Sequence, residues 1–474
     1  METPREHAAE GGPAAPLRVV LISTYELGRQ PFGLASPAAW LEAAGASVAC
    51  LDLAVQALDT HLIASADLIA LYVPMHTATR IATTVVAQVQ QINPHAHICF
   101  YGLYASVNEG FLRALGADTI LGGAFEQGLV ALVARLADER AHRRLDRQPE
   151  PVVSRARQQF RVPERRGLPD LRRYAQVVLA DGSRRVAGYT EASRGCKHMC
   201  RHCPIVPVYA GIFRIVQPEV VLDDIRQQIA AGARHITFGD PDFFNGPTHA
   251  IRIVRALHAA FPDVTYDVTI KIEHLLKHAC YLPVLRDTGC LFVTSAVEAV
   301  DDAILAIFDK RHTRADFIHV ATLLRQVGLT LNPTFVTFTP WTSLKGYLEL
   351  LALLDELELV EHVAPIQYAI RLLIPAGSRL LELPMVQQQI GAFDQAALCY
   401  RWVHPDPQVD QLYEDVLAVA KQTRNQDRRA IFETVWALAQ VAANRAGGAR
   451  ITRIVPKQGY RPTSIPHVTE PWFC

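Results

Sequence analysis

The chain has 474 residues, of which 50% are hydrophobic and 20% charged, so it can bury the cores of two or three domains. Its formal net charge is +0, which gives no general electrostatic reason to bind nucleic acid or an anionic membrane. No apolar run reaches the length of a bilayer span, the first residues lack a signal-peptide pattern, and nine cysteines without a repeating framework are typical of a reducing compartment. We therefore expect a cytoplasmic protein with no membrane partner.

Buried strands and amphipathic helices alternate after a disordered lead at 1–16. Strands are predicted at 17–22, 47–53, 68–73, 97–101 and 119–121, and helices at 77–91, 108–115 and 125–136, with a further helix opened by Ser36 and Pro37. The alternation predicts a parallel, doubly wound, Rossmann-like (flavodoxin-like) sheet over 17–137. Ligands of such sheets bind outside the strand carboxyl ends. Those ends carry Tyr25, Met75, His76, Gly102, Gly122 and Gly123.

The segment 138–175 is rich in Arg, Pro and Gln and has little periodicity, so it is predicted to be an interdomain linker. Its basic residues raise the alternative of an RNA contact. Because Asp and Glu alternate with the arginines, a solvated linker is the favoured interpretation, and a nucleic-acid partner is not expected.

Three cysteines, Cys196, Cys200 and Cys203, follow a short apolar strand at 185–189 with the spacing C-x3-C-x2-C. Three thiolates do not complete a tetrahedral zinc site, but they suit a [4Fe-4S] cluster that keeps one iron free for another ligand. His198 and His202 lie inside the motif, so a structural Cys3His zinc site is the alternative. A zinc knuckle in so long a chain is normally paired with a second Cys or His cluster, and the sequence shows none.

The motif, with Arg194-Gly195 before it, resembles that of the radical S-adenosylmethionine (SAM) enzymes. These enzymes usually have an aromatic residue where this chain has His202. The resemblance implies that the three cysteines hold a [4Fe-4S] cluster, that SAM binds its free iron, and that a 5′-deoxyadenosyl radical takes hydrogen from an unreactive carbon. It also implies an external electron donor of the flavodoxin or ferredoxin type.

Strand and helix signals alternate again over 176–380, which predicts a partial (β/α)6 barrel with its catalytic face at the strand carboxyl ends. Further strands are predicted from 235 and at 264–272, 290–297, 330–338 and 366–374, and a helix at 218–231. By the same resemblance, Gly239, Asp240 and Asp242 match the positions that contact the SAM amino group. Cofactor contacts are also expected from Lys271, Glu273, Ser295, Glu298 and Asn332. Lys271, Glu273 and His312 could equally belong to surface ion pairs.

A sheet of this kind directly before a radical SAM motif resembles the cobalamin-binding domain of the B12-dependent radical SAM family. Gly33-Leu34-Ala35 leading into a helix, Asp52 in a strand and Gly122-Gly123 before the last helix fit that arrangement. The D-x-H-x-x-G signature of other cobalamin proteins is absent, as in many radical SAM relatives. The resemblance implies that cobalamin binds at the strand ends and that the enzyme methylates an unreactive carbon of a small-molecule or peptide substrate.

Two other functions remain open. One is a radical SAM enzyme whose first domain holds no cobalamin and which performs isomerisation, carbon–sulfur chemistry or transfer of another SAM fragment. The other is a non-catalytic zinc module that contacts RNA through the linker at 138–175. The two differ in metal content, because the first requires iron and the second zinc.

The C-terminal part is predicted to be a helical region at 381–450 followed by a tail at 451–474. Helices are expected at 385–390, 408–421 and 428–446. A disordered tail rarely keeps Trp, Phe and Cys together, so we expect the tail to fold back over the barrel mouth. Its ending resembles the Cys-Sec-Ala-Glu-Pro and Cys-Cys-Ala-Glu-Pro (CUAEP/CCAEP) tails of a small group of radical SAM proteins. That resemblance implies a selenocysteine codon after Cys474 and a catalytic role for Cys474; a frayed terminal thiol is the alternative.

Overall fold

A six-stranded parallel sheet with helices on both faces forms the first lobe. The computed structural model describes residues 15–141, 149–422, 427–445 and 465–469. The strands run in the order β2-β1-β3-β4-β5-β6, and two apolar cores cover the two faces. The elements are β1 (Arg18–Ser23), α1 (Phe32–Ala43), β2 (Ser47–Asp52), α2 (Thr60–Ser65), β3 (Leu68–Tyr72), α3 (His76–Ile92), β4 (His97–Tyr101), α4 (Leu103–Val107), α5 (Glu109–Ala114), β5 (Thr119–Gly123), α6 (Phe125–Arg140) and β6 (Val153–Ser154). The predicted doubly wound α/β sheet is confirmed.

Helix α1 begins five residues earlier than the sequence predicts, so Ser36 and Pro37 lie inside it rather than at its start. Proline has no N–H to donate to the carbonyl four residues back, which here is that of Gly33. The Tyr101 hydroxyl donates to this Gly33 carbonyl instead, at 2.8 Å. The helix therefore tolerates an internal proline because a buried side chain from β4 satisfies the acceptor that Pro37 leaves open.

The second lobe is a curled, half-barrel sheet in the order β14-β13-β12-β11-β8-β7-β17, in which β17 is His467–Val468. Five of its strands are parallel, and β7 and β17 extend one edge in antiparallel pairing. Its elements are β7 (Gln176–Val178), β8 (Arg184–Thr190), β9 (Ser193–Gly195), α7 (Ile205–Tyr209), β10 (Phe213–Ile215), α8 (Pro218–Ala230), β11 (His235–Phe238), α9 (Pro247–Ala260), β12 (Thr265–Thr269), α10 (Ile272–Lys277), α11 (Leu282–Asp287), β13 (Cys290–Glu298), α12 (Asp302–Ile307), α13 (Arg314–Val327), β14 (Thr330–Phe335) and α14 (Leu344–Glu356).

The sixth barrel strand expected at 366–374 is not formed as a strand, and this prediction is wrong. The segment begins as a 3-10 helix, Pro365–Ala369, and then makes one parallel bridge between Phe338 and Arg371. The Phe335 N–H donates to the side-chain oxygen of Gln367, at 2.9 Å, and not to a backbone carbonyl. A side chain thus takes the place of a ladder hydrogen bond at the point where the sixth strand would start.

The C-terminal part is mainly helical, as predicted, but it also contains a β-hairpin that the sequence does not predict. Its elements are α15 (Pro384–Gln387), β15 (Ile390–Asp394), β16 (Cys399–Trp402), α16 (Pro407–Gln422), α17 (Arg428–Arg445) and β17 (His467–Val468). Six 3-10 segments complete the described elements: Leu171–Arg173, Phe243–Asn245, Ala279–Tyr281, Val360–His362, Pro365–Ala369 and Arg379–Glu382. None of the helices in the described ranges is long and apolar enough to cross a membrane.

Candidate active site

The loops at the carboxyl ends of the first sheet contact the start of the second lobe. The Ala175 N–H donates to the Gly28 carbonyl after β1, at 2.8 Å, and the Tyr209 hydroxyl donates to the Gly123 carbonyl at the end of β5, at 3.2 Å. Tyr209 ends the helix that directly follows the three cysteines. The carboxyl edge of the first sheet, where parallel sheets bind ligands, therefore faces the cysteine loop.

Arg194, two residues before the first cysteine, ties this loop to the first lobe. Its guanidinium pairs with Glu126 of α6 and, at 2.5 Å, with Glu191. The side chains of Arg194 and Glu126 are 8% and 0% exposed. Burial alone would raise the pKa of Glu126, but Arg194 together with Gln158 and Ser36 holds that pKa below its usual value. The pair is thus a buried, ionised link between the two lobes.

The cysteine loop is held by backbone carbonyls on both sides. Arg201 donates its N–H to the Phe308 carbonyl at 2.9 Å, and its guanidinium reaches carbonyls at the end of α12 at 3.1 and 3.0 Å. On the other side, Arg379 donates to the Met199 carbonyl at 2.9 Å. The Lys197 N–H donates to the side-chain oxygen of Asn245 at 3.3 Å. These contacts order the loop through groups other than its three thiols.

The three thiols are too far apart for one metal ion. Zn–S bonds of about 2.3 Å in a tetrahedral site place the sulfurs roughly 3.8 Å from one another. Within the described part of the chain, the Sγ atoms of Cys196, Cys200 and Cys203 do not all come within 4.8 Å of one another. Burial raises the pKa of Cys196 to about 11 and that of Cys203 to about 12, so binding as thiolates requires strong positive charge beside them. The set fits a larger iron–sulfur cluster better than a mononuclear zinc.

Both histidines of the motif already have partners elsewhere, which argues against a Cys3His site. His198 Nε2 lies 3.2 Å from Asp242 Oδ2, and His202 Nε2 lies 3.0 Å from Glu298 Oε1. The His202 ring also packs on Phe308, with the ring centroids 4.5 Å apart. His202 therefore stands at the sequence position of the usual aromatic residue, and its ring packs as an aromatic ring would.

The turn after β11 contains two carboxylates with different partners. Asp240 accepts from the Ala192 N–H at 2.9 Å and from the Ser193 hydroxyl at 2.5 Å, and burial raises its pKa to about 7. Asp242 instead faces His198 and His274. Gly239 has no room for a side chain, since a Cβ there would lie 1.8 Å from the Tyr189 hydroxyl oxygen. Asp240 thus aligns β9 with the end of β11, and Gly239 allows close packing.

Lys271 and Glu273 lie where α10 begins, just after β12. Lys271 is 7% exposed, and its Nζ lies 3.2 Å from Glu273 Oε2 and 3.3 Å from His198 Nδ1. The Glu273 carboxylate is partly exposed. Burial tends to raise the pKa of Glu273, but Lys271 outweighs it and lowers that pKa. The two residues form a pair at the barrel mouth, beside the cysteine loop.

Glu298, at the end of β13, is the centre of a buried charge group. It accepts from Lys310 at 3.3 Å as well as from His202, and its φ of 69° lies in the left-handed region that is unusual for a non-glycine residue. Burial would raise the pKa of Glu298, but Lys310 and His202 hold it at about 2. Lys310 also lies close enough to the thiols that its charge lowers the pKa of Cys203. The strained backbone places an ionised carboxylate between the cysteine loop and a buried ammonium.

Several buried polar atoms near the barrel mouth lack a hydrogen-bond partner among the residues that the structure describes. They are Ser295 Oγ, Asn332 Oδ1, His202 Nδ1 and His312 Nδ1. Burial lowers the pKa of His312 to about 4, so its ring is neutral. Native proteins rarely leave such atoms unsatisfied, and the group suits a polar ligand that supplies the missing partners.

The carboxyl edge of the first sheet carries the other predicted ligand residues. Tyr25 and Met75 are half-buried there, and His76 Nε2 lies 2.6 Å from the Ala397 carbonyl oxygen of the β15–β16 turn. Burial lowers the pKa of His76, so the neutral ring donates this hydrogen bond. Glu26 is buried beside them, with burial raising its pKa to about 8 and no partner for Oε2 in the described ranges. At this edge the Glu26 carboxyl group therefore offers one oxygen without a partner among the described residues.

The glycines at this edge are closely packed by protein. A Cβ on Gly122 would lie 2.4 Å from Ser106 Oγ, and a Cβ on Gly123 would lie 2.1 Å from the Ser154 carbonyl oxygen. Gly102 has a φ of 111°, and a Cβ there would lie 3.0 Å from the Tyr72 ring. The contact with Ser106 of α4 therefore accounts for Gly122, and the pairing of β5 with β6 accounts for Gly123, without any ligand.

A cavity of about 890 Å³ lies between the first lobe and the C-terminal part. Its walls include His76, Thr77, Arg80, Arg371, Trp402 and Tyr413. Arg371 stacks over the Trp402 ring, 3.7 Å from its centroid, and pairs with Asp410 at 2.7 Å. The volume is that of a pocket for a small organic molecule.

Comparison with known families agrees with this geometry. Residues 190–345 match the family model described as the Radical SAM superfamily. They form a radical SAM domain. The matched region begins at the end of β8 and contains the three cysteines, the β11 turn and Glu298. The radical SAM family implies a [4Fe-4S] cluster and SAM, and the thiol spacing and the unpartnered polar atoms fit both.

Solved structures with the same fold include two cobalamin-containing enzymes. The chain superimposes on the cobalamin-dependent SAM radical enzyme OxsB, with aqua-cobalamin and SAM bound, at a TM-score of 0.67 and 14% identity, covering 90% of this chain and 72% of that one. For the radical SAM methyltransferase TsrM from Kitasatospora setae, with cobalamin and a [4Fe-4S] cluster bound, the TM-score is 0.59 at 17% identity, covering 72% and 73%. These neighbours share the two-lobed fold.

A curated relative matches at the level of sequence. The tRNA-2-methylthio-N(6)-dimethylallyladenosine synthase of Desulfosudis oleivorans is 25% identical over 242 residues, which is 49% of this chain and 51% of that protein. The chain therefore spans about half the length of the curated relative that it matches.

Sequence reasoning missed several residues that shape the radical SAM domain. One of them is Asn245, whose side-chain oxygen accepts from the Lys197 N–H and lies 3.8 Å from Cys196 Sγ. His274, which faces Asp242, and Arg379, which holds the cysteine loop, were not identified. His274 follows Glu273 directly and could have been found from the same polar strand end. Arg379 carries no local signal, since it reaches a loop 180 residues earlier.

Proposed function

We propose that the protein is a cobalamin-dependent radical SAM methyltransferase acting on an unreactive carbon of a small-molecule or peptide substrate. The observation that carries the proposal is the orientation of the two lobes. The carboxyl edge of a six-stranded parallel sheet faces the loop of Cys196, Cys200 and Cys203 across direct hydrogen bonds. A ligand on the sheet edge and a ligand on the cysteine loop would therefore meet at one interface.

When bound, the cluster and SAM would supply radical chemistry at an unreactive C–H bond, and cobalamin would deliver a methyl group that a further SAM molecule provides. Cys196, Cys200 and Cys203 hold the cluster. Ser295, Asn332 and His312 orient SAM, because each has a buried polar atom without a partner in the described part of the chain. Backbone groups around Gly239, with Lys271 and Glu273, bind its polar ends.

On the opposite side, Tyr25, Met75 and His76 with the neighbouring Gly102 contact the corrin at the sheet edge. Glu26 adds a buried carboxyl group whose Oε2 has no described partner. Because its pKa is raised to about 8 by burial, Glu26 is protonated at neutral pH and can donate a hydrogen bond to an amide oxygen. The buried surroundings of these groups exclude water from the interface.

The alternative is a radical SAM enzyme that uses no cobalamin. Its support is the packing of Gly122 against Ser106 of α4 and of Gly123 against β6, which fills the space at two positions expected to contact a corrin. In this case the first lobe serves packing or a partner, and the chemistry is isomerisation, carbon–sulfur bond formation or transfer of another SAM fragment.

The C-terminal tail remains a separate part of the proposal. Cys474 and the predicted selenocysteine site lie outside the described residues. The described part of the tail pairs β17 with β7, and the Thr469 N–H donates to the Gln176 carbonyl at 2.8 Å. We propose that Cys474 acts as a redox residue of this active site and that the electron donor is an external flavodoxin or ferredoxin. The nucleotide sequence after codon 474 tests the relation to the CUAEP/CCAEP group.

A cofactor inventory of anaerobically reconstituted, cobalamin-loaded protein tests the function. We expect about four irons, four sulfides and one cobalt per chain, SAM cleavage under dithionite, and transfer of a labelled methyl group to substrate. Cys200→Ala should abolish SAM cleavage and lower the iron content, while Cys280→Ala, an exposed cysteine outside the motif, should leave both unchanged. Iron without cobalt would support the alternative, and zinc without iron would refute both.

A further inference from the structure

A second group of metal-ligating side chains lies beside the cysteine loop but contains no cysteine. It consists of His198 in the loop, Asp242 after β11 and His274 in α10. One ligand atom from each residue lies within 4.8 Å of the others. The three residues are 9%, 1% and 1% exposed. Two imidazoles and one carboxylate are the donor set that zinc and non-haem iron sites use.

The carboxylate is oriented toward the two rings. Asp242 Oδ1 accepts from the Phe244 N–H at 3.1 Å, which leaves Oδ2 directed at His198 and His274. His274 Nδ1 lies only 2.6 Å from Oδ2, yet this buried nitrogen has no hydrogen bond within the described residues. Asp242 Oδ2 thus lies against one nitrogen of each ring, 3.2 Å from His198 Nε2 and 2.6 Å from His274 Nδ1. An ion bound by all three residues would take the place of these direct contacts.

The charge balance also favours a cation. Asp242 is the only acidic member of the trio, and burial of its carboxylate is costly unless a positive charge compensates it. The nearest ammonium, Lys271, is already paired with Glu273 at 3.2 Å. For His198 Nε2 to bind a metal, its proton must be on Nδ1. Lys271 Nζ lies 3.3 Å from that Nδ1 and Glu273 Oε2 lies 3.7 Å from it, so metal binding would exchange the lysine contact for a hydrogen bond from Nδ1 to Glu273. A carboxylate behind a metal-bound histidine is a common second partner.

We infer that His198, Asp242 and His274 bind one divalent transition-metal ion, separate from the cluster of the three cysteines. The ion would join three segments that are distant in sequence: the cysteine loop, the turn after β11 and the start of α10. It would thereby hold the cysteine loop against the barrel. The inference depends on metal content alone and not on the reaction of the protein.

Zinc retention by the reconstituted, full-length protein tests this site. The protein with its cluster in place is incubated with zinc, desalted under anaerobic conditions and analysed for iron, sulfide and zinc. We expect the wild type to retain about one zinc per chain in addition to the cluster iron. His274→Ala and Asp242→Asn should keep the iron and bind zinc at least about tenfold more weakly. His278→Ala is the matched control, since its ring lies 5.5 Å from that of His274 without belonging to the trio.

X-ray absorption at the zinc edge gives a second measurement that needs no variant. A first shell of nitrogen and oxygen with imidazole scattering supports the assignment even where His274→Ala does not fold. Sulfur in that shell would place the zinc on the cysteines and overturn it. Wild-type protein that retains no zinc would overturn it too, as would His274→Ala protein that retains zinc with wild-type affinity.

Discussion

Substitution of Glu126 by Gln should reveal how much the buried link between the lobes stabilises the protein. Glu126 is fully buried and pairs with Arg194, and it also accepts from Ser36 at 2.7 Å and from Gln158 at 3.0 Å. Removal of one partner of a buried ion pair costs about 3–5 kcal/mol, because the other charge stays buried without compensation. The remaining partner of Arg194, Glu191, is itself in an unfavourable environment, since burial raises its pKa.

The matched control lies on the same helix. Glu139 of α6 pairs with Arg135 at 2.8 Å, but the Glu139 side chain is 56% exposed, and Arg135 keeps a second partner in Glu150. Glu139→Gln should therefore cost at most about 0.5 kcal/mol. With an m-value of about 3 kcal/mol/M, Glu126→Gln should lower the urea midpoint by about 1–1.7 M, whereas Glu139→Gln should lower it by at most about 0.2 M. Equal midpoints for the two variants would refute the assigned role of the buried pair.

For three further substitutions the structure determines whether the measured property should rise or fall. Lys310→Met should lower the midpoint potential of the reconstituted cluster by an amount on the order of tens of millivolts, because a buried positive charge near the thiolates favours the reduced state. Potentiometric titration followed by EPR measures the potential. An unchanged potential would contradict the placement of Lys310 beside the cysteines. Glu26 has a folded-state pKa of about 8, above its unfolded value of 4.5, so the stability it contributes at low pH is lost as the pH rises through this range. Glutamine does not ionise, so at pH 9 the Glu26→Gln variant should have lost about 2–4 kcal/mol less of its low-pH stability than the wild type. Parallel pH–stability curves for the variant and the wild type would contradict the raised pKa of Glu26. Gly123→Ala should cost about 1–3 kcal/mol, since φ is +70° and the new Cβ would meet the Ser154 carbonyl oxygen. Gly45→Ala, with a φ of +86° and no atom within 4 Å, should cost less; thermal unfolding of both variants measures the difference, and equal losses would contradict the close packing of Gly123.

Local patterns predict the first lobe well because each strand is a continuous apolar run between turn residues. The prediction for 97–101 coincides with β4, which is buried on both faces of the sheet. The start of α1 is mispredicted, because Pro37 is placed inside the helix by a tyrosine from β4 that accommodates the missing hydrogen bond. The absent sixth barrel strand has a similar cause, since Gln367 replaces a backbone partner of Phe335. In both cases a side chain from another element decides the local structure.

In the candidate site, too, some features follow from local sequence and others depend on distant side chains. The three cysteines lie within eight residues, so their spacing can be recognised from the sequence alone. Their separation in space, which distinguishes a cluster from a single zinc, depends on how the loop is held by Arg201, Arg379 and Asn245. Those contacts span sequence separations of up to 180 residues and leave no local pattern.

Asp240 and Asp242 show why an acidic turn does not by itself identify a ligand for an ammonium group. The sequence assigns both to the SAM amino group. In the structure both oxygens of Asp240 are occupied by Ala192 and Ser193, and burial raises its pKa to about 7, which weakens it as a counter-ion at neutral pH. Burial also opposes ionisation of Asp242, but His198 and His274 overcome this and lower its pKa. Of these two carboxylates, only Asp242 is electrostatically suited to a cation, and its Oδ2 atom is directed at two imidazoles. A positively charged SAM amino group at this turn is therefore better matched to backbone carbonyls beside Gly239 than to either aspartate.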